Sequence, residues 1–279
     1  MTEAIIQSQG DEDIIAGVEG GDDEKTQRDE SYEQSDNENV GETSETDDLS
    51  EDLVHAQASI NVFHANMDGF KTHAIDIETE MELLDAKPEI ILLNETKTDE
   101  GDLALKLTGY ENICRRDRGS NGGGIGVFVR KDMINQVSLL EISEEWERCW
   151  FLLHTRHGPY LIGCWYRPPR ERVAGILAMQ AELQRLRTQC VGTLIIGDIN
   201  IHQKSWLKYS AGNTPEGSLL YNVSVEEGLK QLVKEPTRYE YLLDLVLTDI
   251  PGTCTKVGGK IRDHRYVMTT LQCTILKQK

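Results

Sequence analysis

The amino-acid sequence predicts a sheet-rich fold of the α/β or α+β class, in which two sheets pack together and helices lie outside them. From Leu53 onward, short apolar runs rich in β-branched residues are separated by turn-forming residues, which is the pattern of strands. Stretches with apolar residues at helical spacing are few. No internal repeat is visible, so we expect one continuous core.

The predicted strands run through the whole of this region. In chain order they are residues 60–64, 89–93, 124–129, 136–142, 150–154, 160–166, 193–196, 243–248 and 266–274. The predicted helices are residues 71–85, 172–187 and, more weakly, 216–227. The glycine-rich segment 122–126 lacks the Lys-Ser/Thr pair of a nucleotide-binding P-loop and leads into a strand. We therefore interpret it as a tight turn.

Charge divides the 279-residue chain into two parts. The formal net charge of −19 comes almost entirely from residues 1–55, which are rich in Asp, Glu, Ser, Thr, Asn and Gly. Such a segment buries too little apolar surface to offset its chain entropy, so we predict a disordered acidic tail. It is either a solvated leader or an arm that screens nucleic-acid contacts or recruits a basic partner. Residues 56–279 are close to neutral and long enough for one domain.

Membrane and secreted proteins are excluded by other features of the sequence. It has no run of about 18 apolar residues, and its acidic start differs from a signal peptide. The six cysteines are scattered without a metal-binding spacing, and we expect mostly buried, reduced thiols. The sequence thus predicts a soluble, intracellular protein that does not contact a membrane.

Polar side chains stand at the ends of several predicted strands. They are Asn66, Glu95, Tyr166, Asp198 and Asn200. Taken singly, each is also typical of a turn former, a helix cap or an interface aromatic. If the strands share one sheet edge, the set offers carboxylates for a hard cation, a base and neutral donors to a phosphoryl oxygen.

Asp244 lies among apolar residues of a predicted strand, where a carboxylate is costly to bury unless it is paired. His264 is the partner that the sequence suggests. A hydrogen bond between them would fix the orientation of the imidazole and favour its charged form. A charged histidine facing a phosphate is expected in phosphoester cleavage.

The order of these motifs along the chain resembles the endonuclease/exonuclease/phosphatase superfamily. The motifs are Asn66, Asn94-Glu95-Thr96, Tyr166-Arg167-Pro168-Pro169, Gly197-Asp198-Ile199-Asn200, Leu243-Asp244-Leu245-Val246-Leu247-Thr248 and Asp263-His264. The Tyr-Arg-Pro-Pro motif and the Pro236-Thr237-Arg238 segment are most similar to the apurinic-type endonuclease domain of non-LTR (LINE-like) retrotransposons. The resemblance covers about residues 58–279.

This resemblance implies a four-layer α/β-sandwich with a divalent metal at one rim. It implies that Glu95 binds Mg²⁺, with Mn²⁺ as an alternative ion. Asn66 would lie at the metal or the phosphate, and Asp263 would approach the metal through water. A metal and fixed donors suit an in-line attack on a phosphodiester, which develops charge on its oxygens.

The remaining roles implied by the resemblance concern water and phosphate. Asp198 would orient or deprotonate the attacking water. Asn200 and Tyr166 would hold the phosphate. His264, oriented by Asp244, would stabilise the transition-state oxygens.

A nearly neutral domain needs a local basic patch to hold DNA. We predict that Arg167, Lys204, Trp206 and Arg262 contact the substrate, although Trp206 also suits a place at the edge of the core. Other basic residues close to the motifs are Arg115, Arg116, Arg118, Arg170, Arg172, Lys208 and Arg265. Ordinary solvated loop charge is the alternative interpretation for each cluster.

The leading hypothesis is a Mg²⁺-dependent endonuclease that nicks a DNA phosphodiester and derives from a non-LTR retrotransposon. We expect a monomer that has DNA as its substrate and a reverse transcriptase domain or protein of the same element as a partner. A nuclear location follows only from the DNA substrate. The alternatives are a phosphatase acting on a small-molecule or lipid phosphate, and a non-catalytic module that binds nucleic acid or protein.

Overall fold

The structure is a computed structural model that describes residues 53–278, with side chains described for residues 59–275. Residues 1–52, which make up nearly all of the predicted acidic tail, lie outside this range. Within it, no helix is both long and apolar enough to cross a membrane.

Twelve strands of the described region form two mixed sheets of six. The strands are β1 (Leu53–Asn66), β2 (Ile90–Asn94), β3 (Tyr110–Arg116), β4 (Ile125–Arg130), β5 (Val137–Ile142), β6 (Arg148–Thr155), β7 (Gly158–Trp165), β8 (Gly192–Asp198), β9 (Lys230–Gln231), β10 (Asp244–Thr248), β11 (Cys254–Ile261) and β12 (His264–Gln278). The first sheet has the order β11-β12-β1-β2-β4-β3, and the second has the order β5-β6-β7-β8-β10-β9. The second sheet is thus one continuous stretch of chain between two parts of the first.

Three α-helices accompany the sheets: α1 (Phe70–Glu82), α2 (Ala174–Leu186) and α3 (Pro215–Glu226). Short 3-10 helices occupy Lys131–Gln136 and Arg187–Gln189. The start of α3 is encoded locally, because Pro215 is its first residue and the Thr214 hydroxyl accepts a hydrogen bond from the Gly217 amide at 3.0 Å.

Successive side chains of β1 point to opposite faces of the first sheet and so enter two different hydrophobic cores. Val62 belongs to the large core between the sheets, whereas its neighbour Phe63 packs on the other face of the first sheet with Ile77 of α1. The large core also takes in buried residues of α2 and α3, such as Met179 and Leu220. The predicted α/β-sandwich with two packed sheets and outer helices is therefore confirmed.

Candidate active site

Strand pairing brings the predicted polar residues to one edge of the sandwich. In the first sheet β1 and β2 are parallel, and Asn66 is the register partner of Asn94. In the second sheet β8 and β10 are antiparallel, and Asp198 is the register partner of Asp244. Since successive side chains of a strand alternate in direction, His64 and Asn66 point to the same side as Val62, between the sheets.

A hydrogen-bonded cluster joins the two sheets at this edge. The Asn66 Nδ2 donates to Asp198 Oδ2 at 2.8 Å and to Glu95 Oε1 at 3.0 Å. The Tyr166 hydroxyl donates to the same Glu95 oxygen at 3.0 Å. Asn66, Asp198 and Tyr166 are buried, so these bonds hold the two carboxylates in fixed positions.

Asp244 is held between two histidines. His264 Nδ1 lies 2.8 Å from Asp244 Oδ2, and His64 Nε2 lies 3.0 Å from Asp244 Oδ1. The backbone amide of Asp244 also donates to the Thr237 hydroxyl at 3.0 Å. The carboxylate thus has a partner on each oxygen, which offsets the cost of its burial. The hydrogen bond expected between Asp244 and His264 is present.

Three buried polar atoms of this cluster have no hydrogen-bond partner: Asp198 Oδ1, His264 Nε2 and His64 Nδ1. His264 Nε2 lies 3.9 Å from Asp198 Oδ2. The Asp198 amide donates to Asn94 Oδ1 at 2.8 Å, which fixes the backbone at the end of β8. Since buried polar atoms are nearly always paired, an acceptor and a donor left open side by side indicate a place for a polar ligand.

The environments of the two aspartates differ. Burial, followed by the charge of Asp244, raises the pKa of Asp198 to about 7. Burial also acts to raise the pKa of Asp244, but the charge of His264 and the hydrogen bonds from His264 and His64 outweigh it and lower that pKa. For His264, burial alone would lower the pKa, and Asp244 raises it to about 9. A carboxylate suited to take up a proton near neutral pH therefore lies beside a charged imidazole.

Tyr166 stays protonated in this environment. Burial first, and then the negative charge of Glu95, raises the pKa of its hydroxyl. The phenol therefore acts as a hydrogen-bond donor and not as a base.

The oxygen atoms of this cluster suit a divalent cation. Asp198, Asp244 and His264 offer ligand atoms within 4.8 Å of one another, but Asp244 is engaged by two histidines and is poorly placed to bind an ion. The open Asp198 Oδ1 and the Glu95 carboxylate, joined through Asn66, form a second set that consists of oxygen ligands, which Mg²⁺ prefers.

Asp263 is engaged with an arginine. Its Oδ2 accepts a hydrogen bond from Arg238 Nε at 2.9 Å and forms an ion pair with a terminal nitrogen of Arg238 at 2.7 Å. The Asp263 side chain is half-buried. It lies beside the cluster because Asp263 directly precedes His264 in the chain. Its predicted approach to a metal through water stays a prediction.

Arg167 requires a correction. We predicted that it contacts the substrate, but only 1% of the residue is exposed. Its guanidinium donates to the carbonyls of Ile199 and Asn200 at 3.3 and 3.2 Å and to the carbonyl of Glu171. In return, the Asn200 Nδ2 donates to the Arg167 carbonyl at 3.1 Å. Arg167 therefore positions the loop that carries Asn200 and has no free face for DNA.

The other predicted substrate-binding residues lie in different settings. Arg262 is exposed, with its Nε 3.6 Å from Asp68 Oδ2. Lys204 is exposed, and its amide donates to Asn213 Oδ1. Trp206 packs against the core, with its ring centroid 5.6 Å from that of Tyr221.

Two arginines of the predicted basic cluster before the glycine run also support loops. Arg115 donates to the carbonyls of Asp99, Asp102 and Leu103, and Arg116 donates to those of Ser143 and Glu144. The sequence alone does not distinguish an arginine that binds a ligand from one that donates hydrogen bonds to backbone carbonyls.

Three supporting residues were given no role from the sequence: His64, Asn94 and Thr237. The first two could have been found from alternation, because His64 shares a face with Asn66, and Asn94 shares one with the buried Leu92. The Thr237 hydroxyl accepts from the amides of Leu243 and Asp244 at 3.1 and 3.0 Å, across a turn that no periodicity reveals.

Several residues at the rim have left-handed backbone conformations that non-glycine residues seldom adopt. They are Asp68, Glu95, Lys97, Asn200, Tyr239 and Arg262, with φ between 50° and 60°. Such conformations cost free energy and often mark functional sites. Here they hold charged, amide and aromatic side chains around the cluster.

Two cavities adjoin the cluster. One, of about 450 Å³, is lined by Glu95, Lys97, Arg118, Gly119, Asn121, Gly122, Gly123, Tyr166, Pro168, Pro169 and Arg170. The other, of about 420 Å³, is lined by Asp68, Tyr239, Lys260, Arg262 and Asp263. Asp68 connects their rims, because its carboxylate contacts both Lys97 and Arg262. The two cavities together thus form a concave surface that is longer than a single phosphate group.

Comparison with known proteins finds that the chain is similar to nucleases and phosphatases. Residues 160–268 match the family described as Endonuclease-reverse transcriptase. No curated protein sequence matches the chain. Among solved structures, the endonuclease domain of TRAS1, a telomere-specific non-LTR retrotransposon, is similar at 16% identity and a TM-score of 0.57. The match covers 76% of this chain and 98% of that one.

Two further structures share the fold. The AP endonuclease LMAP from Leishmania major has 14% identity and a TM-score of 0.64, covering 77% of this chain and 88% of that one. The 3' phosphatase NExo from Neisseria, bound to a product DNA hairpin, has 14% identity and a TM-score of 0.54, covering 75% and 98%. The resemblance predicted from the sequence is therefore confirmed: the chain has the fold of the endonuclease/exonuclease/phosphatase superfamily, and residues 160–268 match its Endonuclease-reverse transcriptase family.

Proposed function

We propose that this protein is a metal-dependent endonuclease that nicks DNA by hydrolysing a phosphodiester bond. The observation that carries the proposal is the buried pair of open polar atoms, Asp198 Oδ1 and His264 Nε2. They lie where an attacking water and a phosphoryl oxygen would be held side by side. Burial and then the negative charge of Asp244 raise the pKa of Asp198, and Asp244 also raises the pKa of His264, which favours its protonated form.

Each residue of the cluster has a role in this reaction. Asp198 orients the attacking water and accepts its proton, for which a pKa near 7 is suitable. His264 donates from Nε2 to an equatorial oxygen, because its Nδ1 is bound to Asp244. Asn200, positioned by Arg167, and Tyr166 hold the phosphate.

Glu95 and Asn66 would hold Mg²⁺, or Mn²⁺ in its place, which leaves the open oxygen of Asp198 for the attacking water. When bound, such an ion supplies Lewis-acid stabilisation of the charge that develops on the phosphoryl oxygens. Asp263 lies farther along the rim, paired with Arg238. The chain's own residues orient the water, bind the phosphate and transfer the proton.

A nucleic acid suits the surface better than a small phosphate ester. The cavities on the Glu95 side and the Asp263 side both carry basic residues, Lys97, Arg118 and Arg170 in one and Lys260 and Arg262 in the other. Basic residues along an extended concave surface suit successive phosphates of a strand. The family description and the TRAS1 structure support a retrotransposon origin. We further propose a reverse transcriptase of the same element as partner, and a nuclear location that follows only from the DNA substrate.

The experiment is nicking of supercoiled plasmid by the purified full chain in Mg²⁺ or in chelator. We expect metal-dependent nicking, with a loss of at least about 100-fold in Asp198→Asn and His264→Ala. Leu103→Ala, an exposed residue away from the cluster, serves as the control. Folding of each variant is checked by circular dichroism.

A folded wild-type chain that leaves the plasmid intact would refute the nuclease. Because a phosphatase shares the fold, release of phosphate from a 3'-phosphorylated oligonucleotide and from sugar or inositol phosphates is measured in parallel. Turnover there without nicking would select a phosphatase. DNA binding that is unchanged in Asp198→Asn, without any product, would select a non-catalytic module.

A further inference from the structure

A tight turn of residues 238–241 is attached directly to the catalytic histidine. Arg238 forms an antiparallel bridge with His264. The amides of Thr237 and Arg238 donate to the Tyr241 carbonyl at 2.8 and 3.0 Å, and the Tyr241 amide donates back to the Arg238 carbonyl at 2.8 Å. The position of Tyr239, at the tip of this turn, is therefore fixed relative to His264.

Tyr239 presents an aromatic ring to solvent at this position. The residue is 68% exposed, compared with 39% for Tyr221, the other exposed tyrosine of the described residues. Its φ of 50° is in the left-handed region, which is costly for a bulky side chain. The free protein gains little packing from this ring, so neither its exposure nor its backbone conformation is explained by the core.

The ring is also braced from one side. The Arg238 guanidinium lies 5.8 Å from the centroid of the Tyr239 ring, within the range of a cation–π contact. Asp263 in turn holds this guanidinium through two nitrogens. A braced aromatic ring loses little conformational freedom when it meets a ligand, which favours binding.

The surroundings of Tyr239 are suited to a nucleotide. The cavity of about 420 Å³ beside it is lined by Lys260 and Arg262, both exposed, together with Asp68 and Asp263. Basic side chains next to an exposed ring are the combination that binds single nucleotides of a strand, the cations at phosphates and the ring at a base.

We propose that Tyr239 stacks on a nucleobase next to the scissile phosphodiester and thereby determines specificity for nucleic acid over sugar or lipid phosphates. This proposal rests on the proposed function. It assigns the cavity beside Tyr239 to a neighbouring nucleotide of the cut strand or its complement. The catalytic cluster itself is unaffected by Tyr239, which binds the substrate and does not take part in the chemistry.

The experiment combines nicking with a stacking probe. Duplexes with 2-aminopurine at successive positions around the mapped nick are titrated with the full chain in chelator, and kcat/KM for nicking is measured separately in Mg²⁺. We expect a change in 2-aminopurine emission at a position beside the nick, and its loss in Tyr239→Ala. The same variant should lower kcat/KM by about 10- to 100-fold. Tyr239→Phe should retain both signals, and Leu103→Ala should equal the wild type.

The outcomes separate the two proposals. Nicking by Tyr239→Ala within about twofold of the wild type, with the emission change retained, would overturn the role of Tyr239 and leave the nuclease intact. A wild-type chain that does not nick would remove the proposed function. In that case, the same probe scanned along the duplex decides the stacking role: a Tyr239-dependent signal keeps it, and no signal overturns it.

Discussion

At the scale of single residues, one carboxylate governs the protonation of its neighbours. Asp244 stabilises the charge on His264 and discourages a negative charge on Asp198, its register partner on β8. Burial and then the charge of Asp244 raise the pKa of Asp198 to about 7, and Asp244 raises the pKa of His264 to about 9. Near neutral pH the carboxyl group can therefore exchange a proton while the imidazole stays charged.

The first prediction concerns the pH dependence of nicking. Because Asp244 raises the pKa of His264 to about 9, the imidazole stays charged through neutral pH, and the rate should fall as the pH rises through about 9. The same group stabilises the fold fully below its ordinary value of 6.5, and this contribution is lost as the pH rises through 9. In Asp244→Asn, the alkaline fall should move toward 6.5. The measurement is the pH–rate profile of the wild type and of Asp244→Asn. If both rates fall at the same alkaline pH, the fall does not come from His264 held by Asp244.

Several residues predicted from the sequence meet at the sheet edge, but other residues that hold them in place were given no role. Three of the predicted residues stand at strand ends, and strand pairing brings them into one cluster: Asp198, Asn66 and Glu95. Arg167 was misassigned because a buried guanidinium that caps carbonyls has the same sequence signature as one that binds phosphate. Thr237 acts through its side chain on a backbone six and seven residues away, which single-sequence patterns do not encode.

At the scale of elements, the strands that were missed lie at sheet edges, although the edge strand β5 was predicted. The strands missed from the sequence are β3, β9 and β11, and each forms the edge of a sheet. Edge strands carry charged and polar residues because only one neighbour pairs with them, so their apolar alternation is weak. Central strands such as β2 and β10 are buried throughout and were predicted from their apolar runs.

The second prediction concerns the close approach of β7 and β8. A Cβ added to Gly197 would lie 1.6 Å from the Trp165 carbonyl oxygen, a backbone atom that cannot move aside locally. Gly197→Ala should therefore lower the free energy of unfolding by about 3 kcal/mol or more. Urea unfolding measures it.

Gly212→Ala is the matched control, since a Cβ there meets nothing within 4 Å. A Gly197→Ala protein as stable as this control would show that the two strands have room to separate.

At the scale of the whole molecule, the third prediction concerns the response of stability to metal. An ion that binds only the folded chain raises its free energy of unfolding, by about 2.7 kcal/mol at a hundredfold excess over Kd. We therefore expect Mg²⁺ to raise the Tm of the wild-type chain and to have little effect on Glu95→Gln, which lacks one ligand charge. Thermal unfolding in Mg²⁺ and in chelator provides the measurement.

The exposed Glu100→Gln is the control for the loss of one negative charge. Equal increases in Tm for the wild type and Glu95→Gln would place the ion elsewhere.

The distribution of the cluster over the two sheets has a consequence for folding. Asn66, His64 and His264 come from strands of the first sheet, whereas Asp198 and Asp244 come from the second. Since β12 returns to pair with β1 across some two hundred residues of intervening chain, closing the first sheet is a slow, long-range step. Enzymatic activity during refolding should then appear last, after both sheets have formed and docked, so that catalysis reports the completed assembly of the domain.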